Sequence, residues 1–284
     1  LDKIPYLNQI IKSMNETEER KALLDDFYDE VYKTITQNKA YKGKINLSMS
    51  QFFATDAPTI TIWVEHKSDK QSRDLTKLVK KIAQTYKIGD VKVEIQEFHK
   101  PDISDKDKKL ITKVEEVMKY AQNVLKQKGY HVLQTGFFVN TQTLTIKIDG
   151  TNHDADQLNQ IEKLISDALN QKHLNYKVEI KERSQSEIAE MNWQPIFDAV
   201  LDETHKQFHE VNGFAYSFRP RPIEIILKTS LANGEKGLKK AIAIEEYARQ
   251  VIEIKRKQLG VEKIPYKIII RDKNQKDIYE KSYP

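Results

Sequence analysis

A segment of this chain occurs twice, and that repetition limits what it can fold into more than any other feature. Gln51-Phe52-Phe53-Ala54-Thr55, followed by Thr59-Ile60-Thr61-Ile62-Trp63-Val64-Glu65, returns as Gly136-Phe137-Phe138-Val139-Asn140, followed by Thr143-Leu144-Thr145-Ile146-Lys147-Ile148-Asp149. Each copy gives way to a charged helical stretch. Each then closes in a similar strand, Val91-Lys92-Val93-Glu94-Ile95 in the first and Tyr176-Lys177-Val178-Glu179-Ile180 in the second. The offset is 85 residues for the Phe-Phe pair and the closing strand, and 84 for the hairpin's second strand. A third, more diverged copy runs from about Trp193 to Asp272. Repetition at this period means one supersecondary unit used several times.

Hydrophobic spacing fills in the unit. Leu23, Leu24, Phe27, Val31 and Ile35 recur at helical intervals, predicting a helix over about 16–37 behind an entry segment or short helix over 1–14. Asn15 with Glu18 reads as its N-cap and Gly43 as a stop. Ile45, Leu47 and Met49 alternate with polar residues as a half-buried strand, and Ile60, Ile62 and Val64 share one face of the next. A helix over 72–86 and a strand over 91–98 complete the first module, and His99-Lys100-Pro101-Asp102 marks its end. In the second copy Ser104 caps a helix that Gly129 stops. Strands over 130–139 and 143–149, a helix striped by Leu158, Ile161, Ile165 and Leu169, and a strand over 176–182 follow. The polar stretch 184–190 is the second boundary. Beyond it come a helix through Ile196, Phe197, Val200 and Phe208 that Gly213 stops, strands over 214–218 and 223–228, a helix over 237–259 and a strand over 266–270. The charged tail past Asp272 either peels away or adds one short strand. The expectation is an α+β protein of three tandem modules, 1–100, 101–184 and 185–284, each ordered helix, strand, strand, helix, strand. Each would be a small three-stranded sheet with two helices on one face.

Composition excludes several classes. Cysteine is absent, which removes disulfides, thiol catalysis and cysteine-based zinc sites. No run approaches the ~18 apolar residues of a membrane span, and no basic-then-apolar signal peptide is visible. The chain opens on Leu1 and not on Met, so an upstream segment is expected to have been removed, with a signal or an anchor as one reading of it. Net charge is +5, and from Glu235 to Lys281 there are 13 Lys or Arg against 8 Asp or Glu. The basic balance therefore gathers at the C-terminal end, either as a solvated helix face or as a weak footprint for anionic partners.

Residues that carry chemistry are few. There is no phosphate-binding loop, dinucleotide fingerprint, serine elbow or His-Glu-x-x-His motif, and the nine glycines are scattered singly. His205 and His209, four apart, would share a helix face as a metal pair but lack a third ligand; solvated histidines are the plainer reading. Asp149, Asp154 and Asp156 flank a turn that only loosely resembles a calcium loop, and Asp154 suits a helix cap better. No cofactor or metal is expected. In a regular strand one Phe of each Phe-Phe pair must point away from the core, so Phe52 and Phe137 are candidates for intermodule packing, for recognition, or for plain turn packing. Arg219-Pro220-Arg221-Pro222 joins the third hairpin. Two arginines on a proline-stiffened loop suit phosphate or carboxylate groups, with Lys228 and the Lys255-Arg256-Lys257 run extending the patch; edge protection is the alternative.

The segment Gly136-Phe137-Phe138 and the strands over 143–149 and 176–182 resemble the uncharacterised DUF4030-type family of Bacillus proteins. That resemblance implies a Gram-positive source, no assigned activity, and a location outside the cytoplasm behind a membrane anchor; the cytoplasm is the alternative location. Element order is also similar to that of BON-type modules, which are associated with envelope attachment. The expected function is thus a non-enzymatic binding, sensing or structural ectodomain whose partner is another protein, a cell-envelope component or an anionic surface. Anionic-ligand or nucleic-acid binding through the basic third module is the first alternative. It is weakened by the missing glycine backbone clamp and Arg/aromatic interleaving. An enzyme with a site assembled between modules is the second.

Overall fold

A computed structural model describes residues 7–41, 45–98, 104–150 and 153–284. The expected Gly43 stop, the 99–102 boundary and the centre of the Asp-flanked turn at Thr151-Asn152 lie outside the described residues. The first module is α1 (Leu7–Gln37), β1 (Ile45–Ser50), β2 (Thr59–Val64), α2 (Asp69–Thr85) and β3 (Lys92–Glu97). The second is α3 (Asp105–Gln127), β4 (Val132–Phe138), β5 (Thr143–Ile148), α4 (Ala155–Asn170) and β6 (Lys177–Glu182). The third is α5 (Gln185–Gln207), β7 (Val211–Ser217), β8 (Ile223–Thr229), α6 (Glu235–Leu259), β9 (Tyr266–Arg271) and β10 (Asp277–Tyr283). The protein is therefore α+β, built of three tandem helix-strand-strand-helix-strand modules.

Each sheet has an antiparallel hairpin whose second strand pairs in parallel with the closing strand. Thr59 stands opposite Lys92 in the first and Thr143 opposite Lys177 in the second. The parallel pairing requires a crossover, and α2, α4 and α6 supply it. The central strand buries one face in each case: Ile60, Ile62 and Val64, then Leu144, Ile146 and Ile148, then Ile223, Ile225 and Leu227. Against these pack Leu24, Phe27, Val31 and Ile35 of α1 with Leu75 and Val79 of α2. The second core matches it with Val117, Ala121 and Leu125 of α3 and Ile161, Ile165 and Leu169 of α4. At about 1.5–3 kcal/mol for each large aliphatic side chain buried, such stripes hold the helices on the sheet.

The chain divides into two compact units, Leu1–Lys100 with Asn192–Pro284, and Pro101–Met191. The first and third modules thus share one unit and the second forms the other. The division falls inside α5, three residues before its internal Pro195. Proline has no N–H to give the carbonyl one turn back, so the helical ladder is interrupted at Met191.

Three local expectations are corrected. The first helix starts at Leu7, with Asn15 and Glu18 inside it, because Ile10, Met14 and Thr17 continue the buried stripe upstream. That tertiary burial outweighs a local capping signal. The stretch 184–190 is no loop: Ser184 and Glu187 form a reciprocal cap that starts α5, with Ser184 N donating to Glu187 Oε2 at 2.8 Å and Glu187 N to Ser184 Oγ at 3.2 Å. Gly213 does not stop α5. It lies in β7 opposite Lys228, where a Cβ would come within 3.1 Å of the lysine side chain. Of the two readings of the tail, the added strand is the one found: β10 gives the third sheet the order β10-β9-β8-β7. Asp272 turns the tail back by accepting from the N–H groups of Asn274 and Lys276 at 2.8 and 2.9 Å.

Two expected caps are found. Ser104 Oγ accepts from Asp107 N at 3.2 Å, and Asp154 forms a capping box with Gln157.

Candidate functional site

The β7–β8 loop holds two exposed guanidinium groups. Ser217 Oγ donates to the Arg219 carbonyl at 2.7 Å, which braces the loop from below. Arg221 lies 4.2 Å over the ring of buried Phe218, and Phe218 meets Phe197 of the core edge-on. The arginine is thus positioned by the core through one aromatic ring. Burial, and then the charge of Arg219, lowers the Arg221 pKa. Among the described residues neither arginine has a carboxylate partner. Two like charges held together and unneutralised favour an incoming anion.

The rest of the expected patch is dispersed. Lys228 is at the opposite end of β8, covering Gly213. Lys255 is buried and paired with Glu18, and Arg256 is spent on Glu253 and the Val261 carbonyl; of that run only Lys257 is exposed and without a partner among the described residues. At the loop's end of the sheet Ile223 pairs with Tyr266 and Tyr266 with Tyr283.

The phenylalanine candidates separate. Phe52 is 60% exposed and leans edge-on against Phe53. Phe53 is buried and stacks on His205 of α5, 3.5 Å between centroids and 6° between planes. Intermodule packing does occur, then, but through Phe53 and between the first and third modules. Phe137 belongs to the second module's own core, meeting Tyr176 edge-on at 5.0 Å, and Phe138 is exposed.

His205 and His209 do not share a helix face, since α5 ends at Gln207. His205 Nδ1 lies 2.6 Å from the Val211 carbonyl, whereas His209 is exposed beside Glu210. Asp149 faces His131 and Arg183, and Asp154 is occupied as a cap. No cluster of three metal-ligating side chains exists among the described residues.

Sequence reasoning missed the polar seam between α1 and α5. Asp202 Oδ1 accepts from Ala54 N at 2.9 Å while its Oδ2 meets Lys21 at 2.6 Å. Glu203, 1% exposed, accepts from Thr17 Oγ1 at 2.6 Å and Lys206 at 3.1 Å, and its other oxygen has no partner among the described residues. The signal was present: Asp202-Glu203-Thr204 interrupts an apolar helical stripe, and carboxylates there need cations from elsewhere. Glu203 and burial together push the Tyr247 hydroxyl up to about 12, burial being the larger cause. These carboxylates are used in holding modules together, which leaves charge recognition at the arginine loop as the chemistry most available to a partner.

Neither a family model nor a curated protein matches this chain. One solved structure, the periplasmic domain of the T3SS inner membrane protein PrgH from S. typhimurium, is 9% identical, with 85% of this chain and 100% of that chain covered. Its TM-score of 0.17 is too low to carry an argument. No helix among the described residues is long and apolar enough to cross a membrane.

Proposed function

We propose that this chain is a non-enzymatic binding module of a Gram-positive envelope protein, acting outside the cytoplasm on an anionic envelope surface. One observation carries the binding reading: Arg219 and Arg221, adjacent on a braced proline loop, have no carboxylate partner among the described residues. The envelope location rests on the family resemblance of the Gly136–Phe138 segment and its two strands. The polar seam supports a non-enzymatic role, because its buried carboxylates are committed to Ala54, Lys21, Thr17 and Lys206.

Co-sedimentation with phosphatidylcholine vesicles, with and without phosphatidylglycerol, tests this directly. Binding should require the anionic lipid, weaken with salt, and fall roughly thirtyfold on replacing both arginines with serine, at about 1 kcal/mol for each cation. Absence of binding at low salt ends the reading. Equal binding by the double variant moves the contact elsewhere, and preference for a polynucleotide over the vesicles replaces the envelope surface with a nucleic acid.

A further inference from the structure

We propose that the unit formed by the first and third modules carries a second ligand site, a groove of about 500 Å³ between α1, α6 and the strand pair β9–β10, which takes a small free anion with a flat apolar body. The volume suits a drug-sized molecule. Its wall is apolar: Leu7 and Ile11 from α1, Ile254 from α6, and the rings of Tyr266 and Tyr283. Those two rings stack with centroids 5.0 Å apart and planes inclined by 28°. Both hydroxyls are engaged away from a ligand. Tyr266 donates to Glu253 at 3.3 Å and Tyr283 to buried Glu245, so what remains for a guest is aromatic surface.

Charge selects the guest. Arg249, Lys257 and Lys263 line the groove against one carboxylate among the described residues, Glu253. Glu253 is already taken by Arg256 at 3.0 Å, whereas Lys257 and Lys263 have no ion-pair partner among the described residues. Arg249 is held by Glu246 and leans on the Tyr283 ring, which fixes one cation beside the aromatic wall. A cationic guest would meet uncompensated positive charge, and a neutral one would leave the two lysines unused. An aromatic carboxylate or sulfonate satisfies wall and rim together. This site shares no residue with the arginine loop and does not depend on the envelope reading.

The test uses 8-anilinonaphthalene-1-sulfonate as the anionic probe and N-phenyl-1-naphthylamine as its neutral counterpart, titrated by fluorescence into the full chain. One saturable, salt-sensitive site is expected for the sulfonate. The double variant Lys257→Glu and Lys263→Glu, both exposed, should weaken it about tenfold while the amine changes by less than about twofold. Ile11→Trp, which fills the groove, should abolish both with the far-UV circular dichroism unchanged. The proposal is overturned by non-saturable binding, or by indifference of the sulfonate to the double charge reversal. It also falls if serine at both 219 and 221 removes the sulfonate signal, since the probe then reads the loop. Absence of binding by the full chain overturns it as well.

Discussion

In the first module β1 stops at Ser50 and Phe52-Phe53 fall in the loop beyond it; in the second, β4 runs on through Phe138 and the pair lies inside the strand. The pairings show how far the two differ. Ser50 stands opposite Thr59, but it is Phe138 that stands opposite Thr143. The second and third strands of the two modules therefore superimpose by their sequence offset and the Phe-Phe pairs do not. The reason is what each loop has to hold. After Ser50 the backbone is gathered by Arg20 Nε and Gln51 Nε2, which donate to the Ala54 carbonyl at 2.6 and 3.1 Å, and by Asp202 across the seam. After Phe138 a single 3-10 turn closes through Gln142 at φ 50°, with no such demands on it. A matching dipeptide thus serves module docking in one place and local core packing in the other.

The largest expected effect separates these roles. Phe53→Ala removes a buried ring from the α1–α5 seam and should cost about 3 kcal/mol in urea unfolding of the full chain. Phe138→Ala, at a ring that is 59% exposed, should stay within about 0.5 kcal/mol. Similar losses for the two would break the comparison.

Next in size is Asp202→Ala. It leaves the buried Ala54 N–H without its acceptor and Lys21 without its pair, a loss of roughly 2 kcal/mol once the half-exposure of Lys21 is allowed for. Hydrogen exchange should show the opening at 51–58, with the second module's turn at 139–142 unchanged. Protection retained at Ala54 would mean that the loop is held without α5. Phe137→Ala should fall slightly lower, about 1–2 kcal/mol, because its half-buried ring packs on its own module's core and on Tyr176. A loss felt in hydrogen exchange of the first module would return Phe137 to an intermodule role.

Much of this was legible in the residues. Element order and the caps at Ser104 and Asp154 follow from periodicity and capping chemistry, which act over a few residues. What escaped depends on distant partners. Asn15 looks like a cap until Ile10 and Met14 are seen to be buried. Gly213 looks like a stop until Lys228 is placed over it. The candidate loop at Arg219–Pro222 was visible because proline and arginine declare themselves locally. The seam and the tyrosine groove were not, since Thr17 meets Glu203, and Ile11 shares a groove with Tyr283, only after folding.

The smallest effects come from two glutamates that respond to pH in opposite directions. Glu245, 1% exposed on α6, has its pKa raised above the ordinary 4.5, chiefly by burial and against the hydrogen bond from Tyr283. Its contribution to stability is complete below 4.5 and is lost as pH rises through the folded value. Glu187, at the start of α5 in the other unit, is held down at about 2 by Lys147 first and by the N–H and hydroxyl of Ser184 after it. Its contribution is present above 4.5 and disappears as pH falls toward 2. Hydrogen exchange across an acid series should therefore show β10 tightening as pH falls to about 4.5, while the first turn of α5 loosens below it. Glu245→Gln should flatten only the former and Glu187→Gln only the latter. If one substitution flattened both, the two units would not be responding independently.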